Sequence, residues 1–362
     1  MTVSQRIEAF SKLGLFINQF SHHENIVYKN IGNINEQFYE RFAELISSES
    51  LGNNWFIEKF IRKALSVLAT NLEKNTLLNW TNKYPEIQIE KRSKNIGVVM
   101  AGNIPLVGFH DFVCVLLSGN VFVGKLSSKD DKLFRIVCEI LIFIDNDFIQ
   151  LIYLENEPLT NKHKLDAIIA TGSDNTARYF EYYFGKYPNI IRRNRNSVAL
   201  ISGTETSEEI KNLADDIFMY FGLGCRNVSK IYLPTDFDIT KLFPHFESYE
   251  FVAQHHSYNN NYDYQKAIML VNKIQFFDTG FSLFTQNPQL ASPISVVYYE
   301  FYEHRQDLIS KLQNDIEKIQ CIVANQSFID LPFKTLNFGT AQNPSFEEYA
   351  DNVDVMQFLN SL

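Results

Sequence analysis

The stretch Gly97-Val98-Val99-Met100-Ala101-Gly102-Asn103-Ile104-Pro105 decides the fold. An apolar run of strand length enters a Gly-Asn turn, and an apolar stretch of helical length, 106–118, follows at once. Outward from this unit the same texture repeats. Short apolar runs at 96–101, 121–123, 148–154 and 167–170 alternate with amphipathic stretches long enough for helices, among them 175–184. Such alternation predicts βαβ units wound on a parallel sheet, and hence an α/β protein. A second series starts near Ser197, with strands at 198–201, 231–233, 294–299, 321–324 and around Phe281, and a helix at 207–220. Upstream, apolar residues recur at helical spacing, first Ile7, Phe10 and Leu13, then Phe56, Phe60, Ala64, Leu65 and Leu68. Thr2 and Gln5 have the spacing of a capping box. The expected organisation is a helical N-terminal region with a first α/β domain over 1–195, and a second α/β domain over 196–362.

At 362 residues the chain is long enough for two domains. Its 45% apolar, 14% aromatic and 21% charged residues exclude a disordered, collagen-like or coiled-coil chain. Against 33 Lys and Arg stand 42 Asp and Glu; the net charge of −9 repels phosphate backbones, so no nucleic acid is expected as partner. The longest apolar runs, 140–144 and 113–117, fall far short of the ~20 residues of a membrane span. Arg6, Glu8 and Lys12 interrupt any signal-peptide core, and a cytoplasmic location is expected. The four cysteines form no Cys-x-x-Cys pair and have no histidine at zinc spacing, so neither a disulfide framework nor a metal is expected.

A thiolate is the strongest nucleophile a protein offers, and its surroundings decide whether it can react. Cys114 lies in Phe112-Val113-Cys114-Val115-Leu116, Cys138 in Ile136-Val137-Cys138 and Cys321 before Ile322-Val323, settings where cysteine serves as a small hydrophobe. Cys225 sits instead in Gly222-Leu223-Gly224-Cys225-Arg226-Asn227, just after a helix. Its glycines permit an unusual backbone path and Arg226 favours the thiolate; the turn is either a nucleophile's seat or a glycine turn with an incidental thiol. Asn103 projects from the carboxyl end of a strand, where open α/β sheets place ligands. It either donates to an oxyanion, a contribution on the order of 3 kcal/mol, or caps its own turn.

The run Val121-Phe122-Val123-Gly124-Lys125-Leu126-Ser127-Ser128-Lys129 ends a strand in a basic, hydroxyl-rich turn, suited to a ribose and phosphates or simply to solvent; it has no P-loop pattern. Thr171-Gly172-Ser173 ends a strand and opens a helix whose first amides would attract a pyrophosphate, although the same triplet describes any capped helix start. His110 beside Asp111, the pair His255-His256 and the pair His22-His23 have neither histidine nor carboxylate recurring at i+4 on a helix and read as core or surface histidines.

In chain order these elements are strand-Gly-Asn-x-Pro, strand-Lys-x-Ser, strand-Thr-Gly-Ser-helix and helix-Gly-x-Gly-Cys-strand. That order resembles the aldehyde dehydrogenase superfamily. Gly102-Asn103-Ile104-Pro105-Leu106-Val107-Gly108-Phe109-His110-Asp111 and Tyr349-Ala350-Asp351-Asn352-Val353-Asp354 resemble its CoA-dependent branch, the LuxC-like acyl-CoA reductases. The likeness runs from about residue 95 to the end. It implies an aldehyde-dehydrogenase-like fold with a Rossmann-like, nicotinamide-binding lobe and a catalytic lobe, in a homo-oligomer. It implies Cys225 as the nucleophile that takes the acyl group from a thioester, and Asn103 with the Cys225 backbone N–H as the oxyanion hole. Lys125 and Ser127 would contact the adenosine ribose, and Thr171, Gly172 and Ser173 the pyrophosphate.

The reaction so implied is reduction of an acyl-CoA, fatty in kind, to the aldehyde, with room for a partner protein that supplies the acyl group. NAD-preferring relatives often carry an acidic residue three positions after the ribose lysine. Here Ser128 stands at that position, followed by Lys129, and NADPH is the expected cofactor. Hydrolytic relatives carry a glutamate in a Glu-Leu-Gly-Gly segment before the cysteine; the corresponding Arg192-Arg193-Asn194-Arg195-Asn196-Ser197 has no carboxylate, so water lacks its usual base. Two alternatives stay open: an acyltransferase that passes on the same acyl-cysteine without a redox step, and a non-catalytic partner subunit.

Overall fold

The computed structural model describes residues 1–22, 26–89, 92–172 and 174–362. The chain divides into two compact units, 1–193 with 345–362, and 194–344.

Four helices open the first unit: α1 (Val3–Asn18), α2 (Gly32–Gly52), α3 (Glu58–Asn71) and α4 (Lys74–Thr81). The capping box at the start of α1 is formed, the Gln5 N–H donating to Thr2 Oγ1 at 3.2 Å and the Thr2 N–H to Gln5 Oε1 at 2.7 Å. Each bond satisfies a backbone donor at the start of the helix. Phe10, Leu13, Phe16 and Ile17 fall on one face of α1 and are buried, at about 1.5–3 kcal/mol for each large apolar side chain removed from water.

The sheet of this unit follows: β1 (Asn95–Val99), α5 (Phe109–Leu117), β2 (Val121–Lys125), α6 (Lys132–Ile144), β3 (Ile152–Glu155), β4 (Ala167–Thr171), α7 (Asp174–Phe184) and β5 (Asn189–Arg192). All five strands are parallel, in the order β3-β2-β1-β4-β5. The helical region covers this sheet through α5 and α6, with Phe10 meeting Phe112 edge-on at 6.0 Å. From β1 the chain winds outward through β2 to β3, then crosses back to β4 on the other side of β1. The winding therefore reverses between β1 and β4, and the carboxyl ends of strands at such a reversal are where open α/β sheets place their ligands.

Three local features differ from the sequence expectation. The strand β5 was not anticipated. The 148–154 run divides into a 3₁₀ turn, Asn146–Gln150, and β3. Helix α5 starts at Phe109 rather than at 106, because Leu106 is left-handed (φ 56°) and its N–H donates to Asp130 Oδ2 at 2.6 Å, within the core.

The second unit contains β6 (Asn196–Leu200), α8 (Ser207–Phe218), β7 (Val228–Pro234), α9 (His256–Val271), β8 (Phe277–Asp278), β9 (Leu283–Gln286), β10 (Val296–Tyr302), α10 (Arg305–Asp315) and β11 (Ile319–Ala324). Its sheet has the order β11-β6-β7-β10-β9-β8, parallel except between β8 and β9. The expected 196–362 domain differs at its end, since 345–362, with α11 (Val355–Asn360), rejoin the first unit. There the Trp80 Nε1–H donates to Tyr349 Oη at 2.8 Å, Tyr84 Oη donates to Asp354 Oδ2 at 2.7 Å, and α11 packs on α5. Among the described residues no helix is long and apolar enough to cross a membrane.

Candidate active site

In the first unit the loop after β1 presses against the loop after β2. A Cβ on Gly102 would stand 2.3 Å from Ser127 Oγ and 2.7 Å from Ser127 Cβ, so only glycine lets the two loops meet. This contact brings the exposed Asn103 loop together with Lys125–Lys129. Lys125 Nζ donates to its neighbour's carbonyl, Leu126 O, at 2.7 Å, and the Lys129 N–H donates to Ser127 Oγ at 3.3 Å. Ser128 and Lys129 are exposed. Asn53 Nδ2 donates to Lys129 O at 3.0 Å and anchors the turn to the helical region. Where the chain leaves β4, a Cβ on Gly172 would stand 2.9 Å from the Thr176 side chain, leaving bare backbone at the start of α7. Ser173 lies outside the described residues, as does His23.

The end of β5 is joined to the start of α5 by an ion pair that no sequence pattern marks. Arg192, at the end of β5, donates through both terminal nitrogens to Asp111 on α5, at 2.6 and 2.9 Å, and its Nη1 lies 3.4 Å from Thr171 Oγ1. Burial disfavours the Asp111 carboxylate, but the guanidinium overrides it and holds the carboxyl well below the usual range. Thr171 therefore faces an ion pair that fixes the carboxyl ends of β4 and β5. No local pattern could have shown this, because the partners are 81 residues apart.

Cys225 belongs to the second unit and is exposed, whereas Cys114, Cys138 and Cys321 are buried. Helix α8 ends at Phe218, two residues before the sequence expectation, because Tyr220 (φ 53°), Phe221 (φ 58°) and Gly222 (φ 73°) are consecutively left-handed. For Tyr and Phe this conformation costs energy and persists only where the surroundings over-determine it. Asn227 supplies much of that constraint. Its Nδ2 donates to the carbonyls of Asp216, Ile217 and Met219 at 3.2, 3.2 and 2.9 Å, and its Oδ1 accepts the Gly224 N–H at 2.8 Å. Ser197 on β6 donates through Oγ to Cys225 O at 3.0 Å, and the Arg226 guanidinium donates through Nε to Ala341 O.

The other thiols are unlike Cys225. Burial pushes the Cys114 and Cys138 thiols up, so both stay protonated. His110 is a core histidine, its Nε2 2.9 Å from Phe346 O, and His255 caps α9 by accepting the Tyr258 N–H at 3.2 Å. Among the described residues no three His, Cys, Asp or Glu side chains converge as a metal site would.

The family described as acyl-CoA reductase (LuxC) matches residues 37–243, more than half of the chain. This chain belongs to the LuxC acyl-CoA reductase family. As a LuxC-family protein it is an oxidoreductase, and the matched span contains Asn103, Lys125, Ser127, Ser128, Lys129, Thr171, Gly172 and Cys225. Its fold is that of the aldehyde dehydrogenases. It is similar to aldehyde dehydrogenase 21 from Physcomitrella patens in complex with succinate, at 12% identity and a TM-score of 0.63, over 98% of this chain and 79% of that one. It is also similar to a Mycobacterium tuberculosis aldehyde dehydrogenase complexed with NAD+ (11% identity, TM-score 0.62, 90% and 73% covered). An Escherichia coli NADP-dependent enzyme resembles it to the same degree (9%, 0.62, 91% and 75%). Among curated protein sequences no match is found.

Proposed function

We propose that this LuxC-family protein reduces a fatty acyl-CoA to the aldehyde with NADPH, through an acyl thioester on Cys225. The observation that carries this reading is the exposed Cys225 on a turn of three left-handed residues, anchored by Asn227 and Ser197, in a chain whose other cysteines are buried. The Cys225 thiolate attacks the acyl carbonyl, the C–S bond to CoA breaks, and CoA leaves as its thiol after taking up a proton. The Cys225 backbone N–H donates to the oxyanion of each tetrahedral stage.

The residues of the first unit fit a dinucleotide. Gly102 and Gly172 keep backbone bare on either side of the point where the winding reverses, and Lys125, Ser127, Ser128 and Lys129 offer ammonium and hydroxyl donors. When bound, the reduced nicotinamide supplies hydride to the acyl carbon. Lys125 keeps two further N–H donors for a ribose beyond the one spent on Leu126 O. Collapse of the resulting hemithioacetal breaks its C–S bond, frees the aldehyde and restores Cys225.

The test is product analysis with acyl-CoAs of graded length and either nicotinamide. Aldehyde formed only with reduced cofactor, and fastest with long chains, is the expected result. Acyl transfer to a thiol or amine without cofactor would replace this reading with the acyltransferase. Cofactor choice has its own prediction. The exposed Lys129 attracts a 2′-phosphate that a carboxylate would repel, so Lys129→Glu lowers kcat/KM for NADPH about 10- to 100-fold and leaves that for NADH nearly unchanged. Equal use of the two cofactors by the unmodified enzyme would refute the NADPH preference.

A further inference from the structure

Helix α8 ends with two adjacent carboxylates, Asp215 and Asp216, at the negative end of the helix dipole, where acidic side chains are disfavoured. Asp215 accepts the Tyr249 hydroxyl at 2.6 Å. Asp216 is fully buried, and its oxygens divide between two backbone donors: Oδ2 accepts the Gly339 N–H at 2.6 Å and Oδ1 the Ala341 N–H at 2.9 Å. Gly339 is itself left-handed (φ 83°), and a Cβ there would stand 2.9 Å from Asn212 Cβ, so the 339–341 turn lies tight on α8. The carbonyl of Ala341 accepts Arg226 Nε–H, while the carbonyl of Asp216 accepts Asn227 Nδ2–H. Both residues that follow Cys225 are thus tied to Asp216, one through the 339–341 turn and one directly.

We propose that Asp216 is a positioning residue for Cys225: its two oxygens hold the 339–341 turn, the turn holds Arg226, and Arg226 with Asn227 sets where the cysteine stands. The inference depends on the reading of Cys225 as the nucleophile. A carboxylate is the only side chain of this length that accepts from two donors on two oxygens, since an amide has one acceptor oxygen and would turn its NH2 toward the second N–H. Protonation breaks the arrangement in the same way, by placing an O–H against a backbone donor. Burial pushes Asp216 up to about 7, against the two backbone N–H groups that favour its ionised form. The charged and titratable groups around it are Asp215 beside it, Arg226 from the cysteine turn and Tyr249 from the segment packed on α8; Asp215 raises it further and Arg226 lowers it. The clamp closes as pH rises through this value.

The experiment compares the unmodified enzyme with Asp216→Asn and Arg226→Lys from mildly acidic to mildly alkaline pH. One readout is the rate at which acyl-CoA without cofactor adds an acyl mass to the Cys225 peptide; the other is alkylation of the same thiol by iodoacetamide. In the unmodified enzyme both rates carry an inflection near pH 7, separate from that of the thiol. Asp216→Asn loses this inflection and acylates about 10- to 100-fold more slowly, as misplacement of a reacting group predicts. Arg226→Lys keeps Asp216 and a positive charge but loses the tether, so it shows the same loss; it decides the matter if Asp216→Asn does not fold. A folded variant of either kind with unchanged rates and pH profiles overturns the inference. If acyl-CoA labels no Cys225 even in the unmodified enzyme, the nucleophile reading fails instead, and the iodoacetamide profiles still judge Asp216.

Discussion

Replacing Cys225 by serine is expected to lower aldehyde formation by on the order of 10⁴-fold or more, the scale on which loss of a covalent nucleophile is felt. Serine keeps the size of the side chain but not its chemistry, since a hydroxyl ionises far above neutral pH and needs an adjacent base. The same substitution removes the acyl adduct. Incubated with acyl-CoA and no cofactor, the unmodified enzyme gains one acyl mass on the peptide containing Cys225, and Cys225→Ser gains none as a thioester. The other three thiols do not compete, because Cys114 and Cys138 are shut in the core with raised pKa values and Cys321 is buried in β11. A thioester on any of the three, or an undiminished one in Cys225→Ser, would defeat the assignment.

What the sequence disclosed, and what it hid, divides by range of interaction. Strand-turn-helix units such as 97–118 are local: the apolar period, the glycines and the change of texture at the turn are written within a few residues, so both sheets and the order of the candidate loops were legible. The turn at Cys225 was legible for the same reason, through Gly222 and Gly224. Long-range pairing leaves no such trace. The short strand β5 was missed because two isoleucines among arginines carry no strand period, yet its place beside β4 delivers Arg192 to Asp111. The residue types of Tyr220 and Phe221 do not mark them as left-handed, since the constraint comes from the Asn227 side chain, whose bonds to the end of α8 form only once the turn is folded. The C-terminal segment resembles its family in sequence, but its place on the first unit comes from distant partners, through the Trp80–Tyr349–Tyr84–Asp354 hydrogen bonds and the packing of α11 on α5.

The acyl-Cys225 intermediate is expected to resist water. A positioned general base contributes typically 10² to 10⁴ in rate, and the segment 182–204 contains neither Asp nor Glu. The arginines within it are no substitute: Arg192 is bound to Asp111, Arg193 to Glu181, and guanidinium stays protonated at any usable pH. The first carboxylate beyond the segment, Glu205, is occupied within its own turn, accepting the Ser202 N–H and Oγ–H at 2.7 Å each and the Gly203 N–H at 2.9 Å. Freeing it for water would break these bonds, each worth about 1.5–3 kcal/mol when one partner is charged. The thioester should therefore outlive normal turnover by about two orders of magnitude or more when cofactor is withheld. After free acyl-CoA is removed, release of fatty acid is followed against release of aldehyde on adding NADPH. Acid appearing as fast as turnover would show that some carboxylate activates water here after all; a long-lived adduct that yields aldehyde only with NADPH is the outcome these residues dictate.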